Sequence, residues 1–213
     1  MDDSPRPSGW KRFRRWIPLL VFALVALSFA AFRIASGSGL KREVEAIRQR
    51  GLPINAIELD LWYPRVPAAS NAALAMIDAF AYHIAPAVGN NPNELPFPLK
   101  PGEALNPELA EAVAAYVEKN QPALEALHEA AMLTTSRYPI DLTKGYETLL
   151  PHLANVKRMA YLVKWDAIHK SARGEREPAL RSLHSGFALV ASLRDEPLLI
   201  SELVRMAIIV SGT

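Results

Sequence analysis

The chain has 213 residues, 50% of them hydrophobic and 22% charged, a composition suited to one folded core and one membrane segment. Its net charge of +2 conceals an asymmetry. Arg6, Lys11, Arg12, Arg14, Arg15 and Arg33 are opposed only by Asp2 and Asp3, whereas from Leu40 onward 18 basic residues face 20 acidic ones. The folded part therefore has no electrostatic reason to bind nucleic acid, and a chain without cysteine has no disulfide, thiolate metal site or cysteine nucleophile.

Residues 1–15 form a basic tail, and from Trp16 to Phe32 the sequence WIPLLVFALVALSFAAF carries no charge. Seventeen such residues are just enough for a helix to cross a hydrocarbon layer of about 30 Å. Trp10, Phe13 and Trp16 sit where an interfacial aromatic belt belongs, and the basic cluster assigns the N-terminus to the cytoplasm. Residues 16–35 are thus predicted to be an uncleaved anchor in the inner membrane. The competing reading is a cleaved signal peptide with Ser28 and Ala30 at the small-residue positions. Residues 36–39 (Ser-Gly-Ser-Gly) read as a flexible linker, and residues 40–213 as an extracytoplasmic domain.

In that domain Leu40, Val44 and Ile47 mark a helix ending at Gly51. Ile57, Leu59 and Leu61 alternate with Glu58 and Asp60, which predicts an extended segment running to Trp62 and Tyr63. Residues 71–84 read as a helix capped by Ser70 or Asn71 and burying Leu74, Ile77 and Phe80 or Ala81. A proline-rich loop follows over residues 86–105. Residues 107–119 form a helix with Asn106 as cap and an inward stripe of Leu109, Val113 and Tyr116; residues 122–133 pair with it and bury Leu124, Leu127 and Ala131. Past an irregular stretch, residues 152–172 carry the longest helical pattern, through Leu153, Val156, Ala160, Val163 and Ala167. Arg173-Gly174-Glu175 makes a tight turn into residues 178–193, predicted to bury Leu180, Leu183, Phe187 and Val190. Residues 197–210 are predicted to bury Leu199, Leu203, Met206 and Ile209, with Asp195 or Glu196 at the positive end of the helix. Only Ser211-Gly212-Thr213 follows the apolar residues 207–210, which leaves two readings: a truncated domain, or a last helix docked back on the bundle.

Chemistry is sparse in this pattern. His83, His128, His152, His169 and His184 show no mutual spacing of three or four residues, so each reads as a surface or capping histidine and no metal site is predicted. Asp166 and His169 share a helix face, but Asp166 and Lys170 also make an ordinary ion-pair spacing. Glu58 and Asp60, roughly 7 Å apart in an extended segment, imitate a carboxylate pair. Ser182, Ser185 and Ser201 lack a glycine elbow. Trp62, Tyr63, Phe97 and Tyr138, aromatic residues in irregular segments, are the candidate binding residues; the alternative is that they plug loops over the core.

Gly174, Ala179, Leu183 and Gly186, with Trp165 in the helix before, resemble the hairpin of a tetratricopeptide repeat over about one repeat length of some thirty-four residues. The anchor, residues 57–64, Tyr138-Pro139-Ile140-Asp141-Leu142 and Leu150-Pro151-His152-Leu153 together resemble a class of uncharacterised bacterial membrane-anchored helical proteins. That resemblance implies a location and no chemistry. The sequence thus predicts an all-α protein: an N-terminal transmembrane helix followed by a hairpin or solenoid-like domain. Its expected role is a scaffold in the cell envelope that binds a protein or peptide partner, with no cofactor, metal or catalytic activity inferred. The rivals are an envelope enzyme with a site assembled from Glu58, Asp60, His152 and Arg158, and a structural subunit of a membrane complex.

Overall fold

A computed structural model describes residues 9–86 and 106–212, with side chains except those of residues 9–15, 18, 19, 30, 31, 34–39, 211 and 212. The chain divides into two units, residues 1–54 and 55–213. All regular structure among the described residues is helical, and the one strand-like feature is an isolated bridge between Asn71 and Thr135.

The first unit is built on α1, Gly9–Gln49, a continuous helix of 41 residues. It runs through residues 36–39, so the expected linker is helical rather than flexible. The flanking residues are good helix formers, and propagating a helix costs less than interrupting it. Among the described residues no helix is long and apolar enough to cross a membrane, and four residues of the charge-free run, 18, 19, 30 and 31, have no described side chain.

In the second unit α2 is Ala56–Trp62, where the alternating pattern predicts an extended segment. The cap explains the difference. Asn55 Oδ1 accepts the Glu58 N–H at 2.8 Å while Asn55 Nδ2 donates to Glu58 Oε1 at 3.0 Å, a reciprocal pair that nucleates a turn. Ile57 and Leu61 then stand exposed, and Glu58 and Asp60, two residues apart on a helix, point away from each other rather than pairing.

The remaining helices are α3 (Ala72–Ala81), α4 (Pro107–Lys119), α5 (Gln121–Ala130), α6 (Pro151–Ala172), α7 (Arg176–Ser192) and α8 (Leu199–Gly212). Short 3-10 turns occupy Ala68–Ser70 and Leu142–Glu147. Helix α6 is central: it packs on α3, α4, α7 and α8, while α3 lies along α5. The core is made of Met76, Val113, Leu124, Leu127, Val156, Met159, Leu162 and Leu189 with their neighbours. Helix α4 has the expected bounds, cap and stripe, with Asn106 Oδ1 accepting the Leu109 N–H and Leu109, Val113 and Tyr116 buried. Helix α3 is rotated from expectation and buries Ala72, Ala73, Met76 and Ala79 in place of Leu74, Ile77 and Phe80. Its small residues let it approach α5 closely, which area-based reasoning does not weigh.

Two side chains tie distant segments together. Asn71 Nδ2 donates to the Arg137 carbonyl at 2.8 Å, and Asn71 Oδ1 accepts the N–H groups of Arg137 and Ala73. Asn120, fully buried between α4 and α5, accepts the Ile84 N–H at 2.8 Å and donates to the carbonyls of Ile84 and Tyr116.

The α6–α7 turn closes as a Schellman motif. Glu175 N–H reaches the Lys170 carbonyl at 2.9 Å and Gly174 N–H the Ser171 carbonyl at 3.0 Å, with Gly174 at φ +77°, the left-handed conformation glycine tolerates best. Beyond the turn α7 presents the opposite face from the one its apolar stripe predicts. Ala179, Ser182, Ser185, Leu189 and Ser192 are buried, whereas Leu180, Leu183 and Phe187 are 57%, 47% and 72% exposed. Helix α8 repeats this: Ser201 and Ile208 face in, while Leu199, Leu203, Met206 and Ile209 face out. On α7, Gly186 lies against α6: a Cβ there would meet Val163 Cγ2 at 3.4 Å, van der Waals contact, so a side chain larger than alanine has no room at that position.

Candidate functional site

The irregular segment after α5 threads through the interior. Tyr138 is fully buried, and its ring stacks on His152 at 4.1 Å with 20° between planes. Its hydroxyl pairs with Ser192 Oγ at 3.0 Å. Its backbone N–H donates to the Tyr63 hydroxyl at 3.1 Å. Tyr63, the C-cap residue of α2, is also fully buried. The Arg137 guanidinium lies 4.2 Å over its ring and donates to the carbonyls of Tyr63 and Pro64, with Asp60 Oδ1 3.5 Å away. Burial pushes the Tyr63 phenol up to about 12 and that of Tyr138 higher still, so both are neutral hydrogen-bonding plugs at ordinary pH.

From Tyr138 the polar chain continues inward. His152, on the first turn of α6, places Nε2 2.9 Å from Glu196 Oε2 and 3.2 Å from Oε1, and Ser201 Oγ donates to Oε1 of the same carboxylate. Both members of the pair are buried, contrary to the surface or capping role predicted for every histidine. Glu196, expected as a helix cap, turns into the core instead. A buried carboxylate is retained when donors satisfy it, and here a hydroxyl and an imidazole do so. The order is serine, carboxylate, histidine, so Ser201 has no imidazole beside it and the arrangement is not a Ser-His-Asp type of triad.

A second cluster joins α5, α6 and α7. Asp166 Oδ2 accepts from Lys170 Nζ at 2.7 Å and from Ser182 Oγ, which leaves His169 out of the contact that its spacing allows. His128 Nδ1 lies 2.7 Å from Ser185 Oγ, and burial, with Lys170 adding to it, holds that imidazole below its usual range. His83 Nε2 meets the Tyr116 hydroxyl at 2.9 Å and is lowered likewise, first by burial and then by Arg158.

Two pockets meet at Ile140, which lines both. One, of about 470 Å³, is lined by Asp60, Arg65, Val66, Arg137, Ile140 and Asp141 and is mostly polar. The other, of about 310 Å³, is lined by Ile77, Phe80, Ile140, Pro151, His152 and Asn155, with Ala81 and Pro139 at its edge.

Of the four aromatic candidates, the structure brings Tyr63 and Tyr138 together as interior plugs, leaves Trp62 half exposed on α2, and does not describe Phe97, which lies outside the described residues. The set Glu58, Asp60, His152 and Arg158 is not gathered. Glu58 holds Asn55, Asp60 faces Arg137, His152 faces Glu196, and Arg158 meets Asn155 Oδ1 at 3.0 Å. Among the described residues no group of three histidine, aspartate, glutamate or cysteine side chains could hold a metal ion. Arg137, Ser192, Glu196 and Ser201 are the interior polar residues that sequence reasoning missed. The one available signal is Glu196 itself, an acid set between the apolar runs of α7 and α8.

Comparison with known proteins adds nothing to this picture: no family model, no curated protein and no solved structure matches the chain.

Proposed function

We propose that the protein is a membrane-anchored helical scaffold of the cell envelope that docks a protein or peptide partner on the outward faces of α7 and α8. The supporting observation is the inverted burial of these two helices. Leu180, Leu183 and Phe187 on α7 and Leu199, Leu203 and Met206 on α8 face solvent. An exposed apolar surface of this kind marks interaction sites on soluble domains. Burying one large apolar side chain contributes about 1.5–3 kcal/mol, so the six together reach the range of about 4–15 kcal/mol that association costs.

The anchor is supported by α1. Trp16, Leu20, Phe22, Leu24, Val25, Leu27, Phe29 and Phe32 are exposed all around that helix, and a helix apolar on every side needs an apolar surrounding. The basic residues before it orient the tail toward the cytoplasm.

Both parts are testable in membranes. The protein should stay in the pellet after carbonate extraction, and recovery in the supernatant would remove the anchor. A photo-cross-linking residue at position 187 should give one discrete protein adduct that disappears in Leu183→Glu and Leu203→Glu variants. Adducts to lipid alone would remove the docking surface.

A further inference from the structure

The geometry points to a small-molecule site in the 310 Å³ pocket: we propose that it binds a compact apolar compound bearing one hydroxyl group, with His152 Nδ1 accepting the hydroxyl proton. This site is separate from the α7–α8 face and does not depend on it.

The orientation of His152 carries the argument. A carboxylate accepts hydrogen bonds, so the ring nitrogen facing Glu196, Nε2, is the one that carries a proton toward it. We take the ring in the matching neutral tautomer, with the lone pair on Nδ1. That atom makes no hydrogen bond among the described residues. The only buried side-chain nitrogen and oxygen atoms lacking a partner there are Trp165 Nε1 and Asp166 Oδ1. His152 Nδ1 is therefore reached from outside, although the residue is 5% exposed, and the space that His152 lines is this pocket. The Tyr138 stack fixes the ring plane, so the acceptor is aimed before any ligand arrives.

The other walls decide what fits. Ile77, Phe80, Ile140 and Pro151 offer carbon surface, which suits an aromatic ring or a short branched alkyl group. A pure hydrocarbon would cover Nδ1 without satisfying it. A carboxylate would meet the lone pair and the nearby Glu196 charge, and would be repelled by both. A hydroxyl compound meets neither objection.

Phenol, toluene and benzoate are the probes. Full-length protein labelled with nitrogen-15 at histidine, in detergent micelles, would be followed by long-range proton–nitrogen spectra of the imidazoles. Without probe, His152 should show a protonated Nε2 and a bare Nδ1. Phenol should shift Nδ1 with saturation, and its dissociation constant should be about tenfold below that of toluene, the factor one net hydrogen bond supplies. Benzoate should have no effect. Ala81→Trp, at an exposed position on the pocket edge, should abolish the phenol response and leave the tautomer unchanged. A proton on Nδ1, whether in place of the one on Nε2 or in addition to it, would overturn the proposal. So would equal responses to phenol and toluene, or a linear, unsaturated shift from partition into the micelle.

Discussion

Helices α4 and α5, and the α6–α7 hairpin, are held in the same domain by different means. Helices α4 and α5 touch each other little, against the expected pairing; α4 packs on α6 and α5 on α3, with leucine, valine, tyrosine and alanine turned inward, and their stability comes from carbon area removed from water. In the α6–α7 hairpin it is α7 that turns mostly alanine and serine, with Leu189, inward against the larger side chains of α6, and each buried serine hydroxyl meets a polar side chain: Asp166 for Ser182, half-buried His128 for Ser185, Tyr138 for Ser192. The first arrangement uses up its large apolar side chains. The second leaves Leu180, Leu183 and Phe187 free to meet something else, so close packing on one face is what makes a docking face available on the other.

Substitutions sharpen that contrast. Leu127→Ala in α5 should lower unfolding free energy by about 2–5 kcal/mol in urea titrations, because it empties a fully buried site in an area-based interface. Gly186→Leu should cost about 1–3 kcal/mol by forcing α7 away from Val163, and Gly186→Ala distinctly less. If both were silent, close approach would not be what holds α7. Ser192→Ala should cost about 1–3 kcal/mol by taking the hydroxyl partner from buried Tyr138. Phe187→Ala, in contrast, should stay within about 0.5 kcal/mol of wild type in the absence of a partner.

Acid probes both regions at once, since His83 meets the α4 tyrosine and His128 the α7 serine. Both imidazoles are held below their usual range in the folded state. The unfolded chain therefore takes up protons first as pH falls below about 6.5, and stability declines from there down to the lowered folded values; above that pH neither group contributes a slope. Equilibrium urea midpoints at pH 7.5 and 5 should show the loss, and a His83→Gln, His128→Gln double variant should show less of it. An unchanged pH dependence in that variant would assign the effect elsewhere.

What the sequence made legible follows the same division. Where the inward face is the most apolar face, as in α4 and α5, periodicity identified the buried residues. In α7 and α8 the inward face is rich in small and hydroxyl residues and most of the stripe read from hydrophobicity points outward; in α3 alanines and Met76 take the innermost positions and Leu74, Ile77 and Phe80 are only half-buried. Helix α2 was hidden for another reason: seven residues are too few for a period to be told from alternation, and a single asparagine cap decided the outcome. The candidate site was half visible. Tyr63, Tyr138 and His152 stood out as residue types in unusual places, whereas Glu196 and Ser192 become interior only through contacts across 44 and 54 residues of sequence.

Asn120 has a further consequence for connectivity. Its side chain holds both the N–H and the carbonyl of Ile84, so the end of α3 and the α4–α5 junction are clamped to each other directly, at a separation of 36 positions in the sequence. The peptide bonds between them are then redundant for holding these parts in place, and closing that loop is a modest entropic matter that grows only slowly with its length. Once the chain is cut between residues 86 and 106, the two pieces should therefore still behave as one assembled body, held at this clamp and through the shared core.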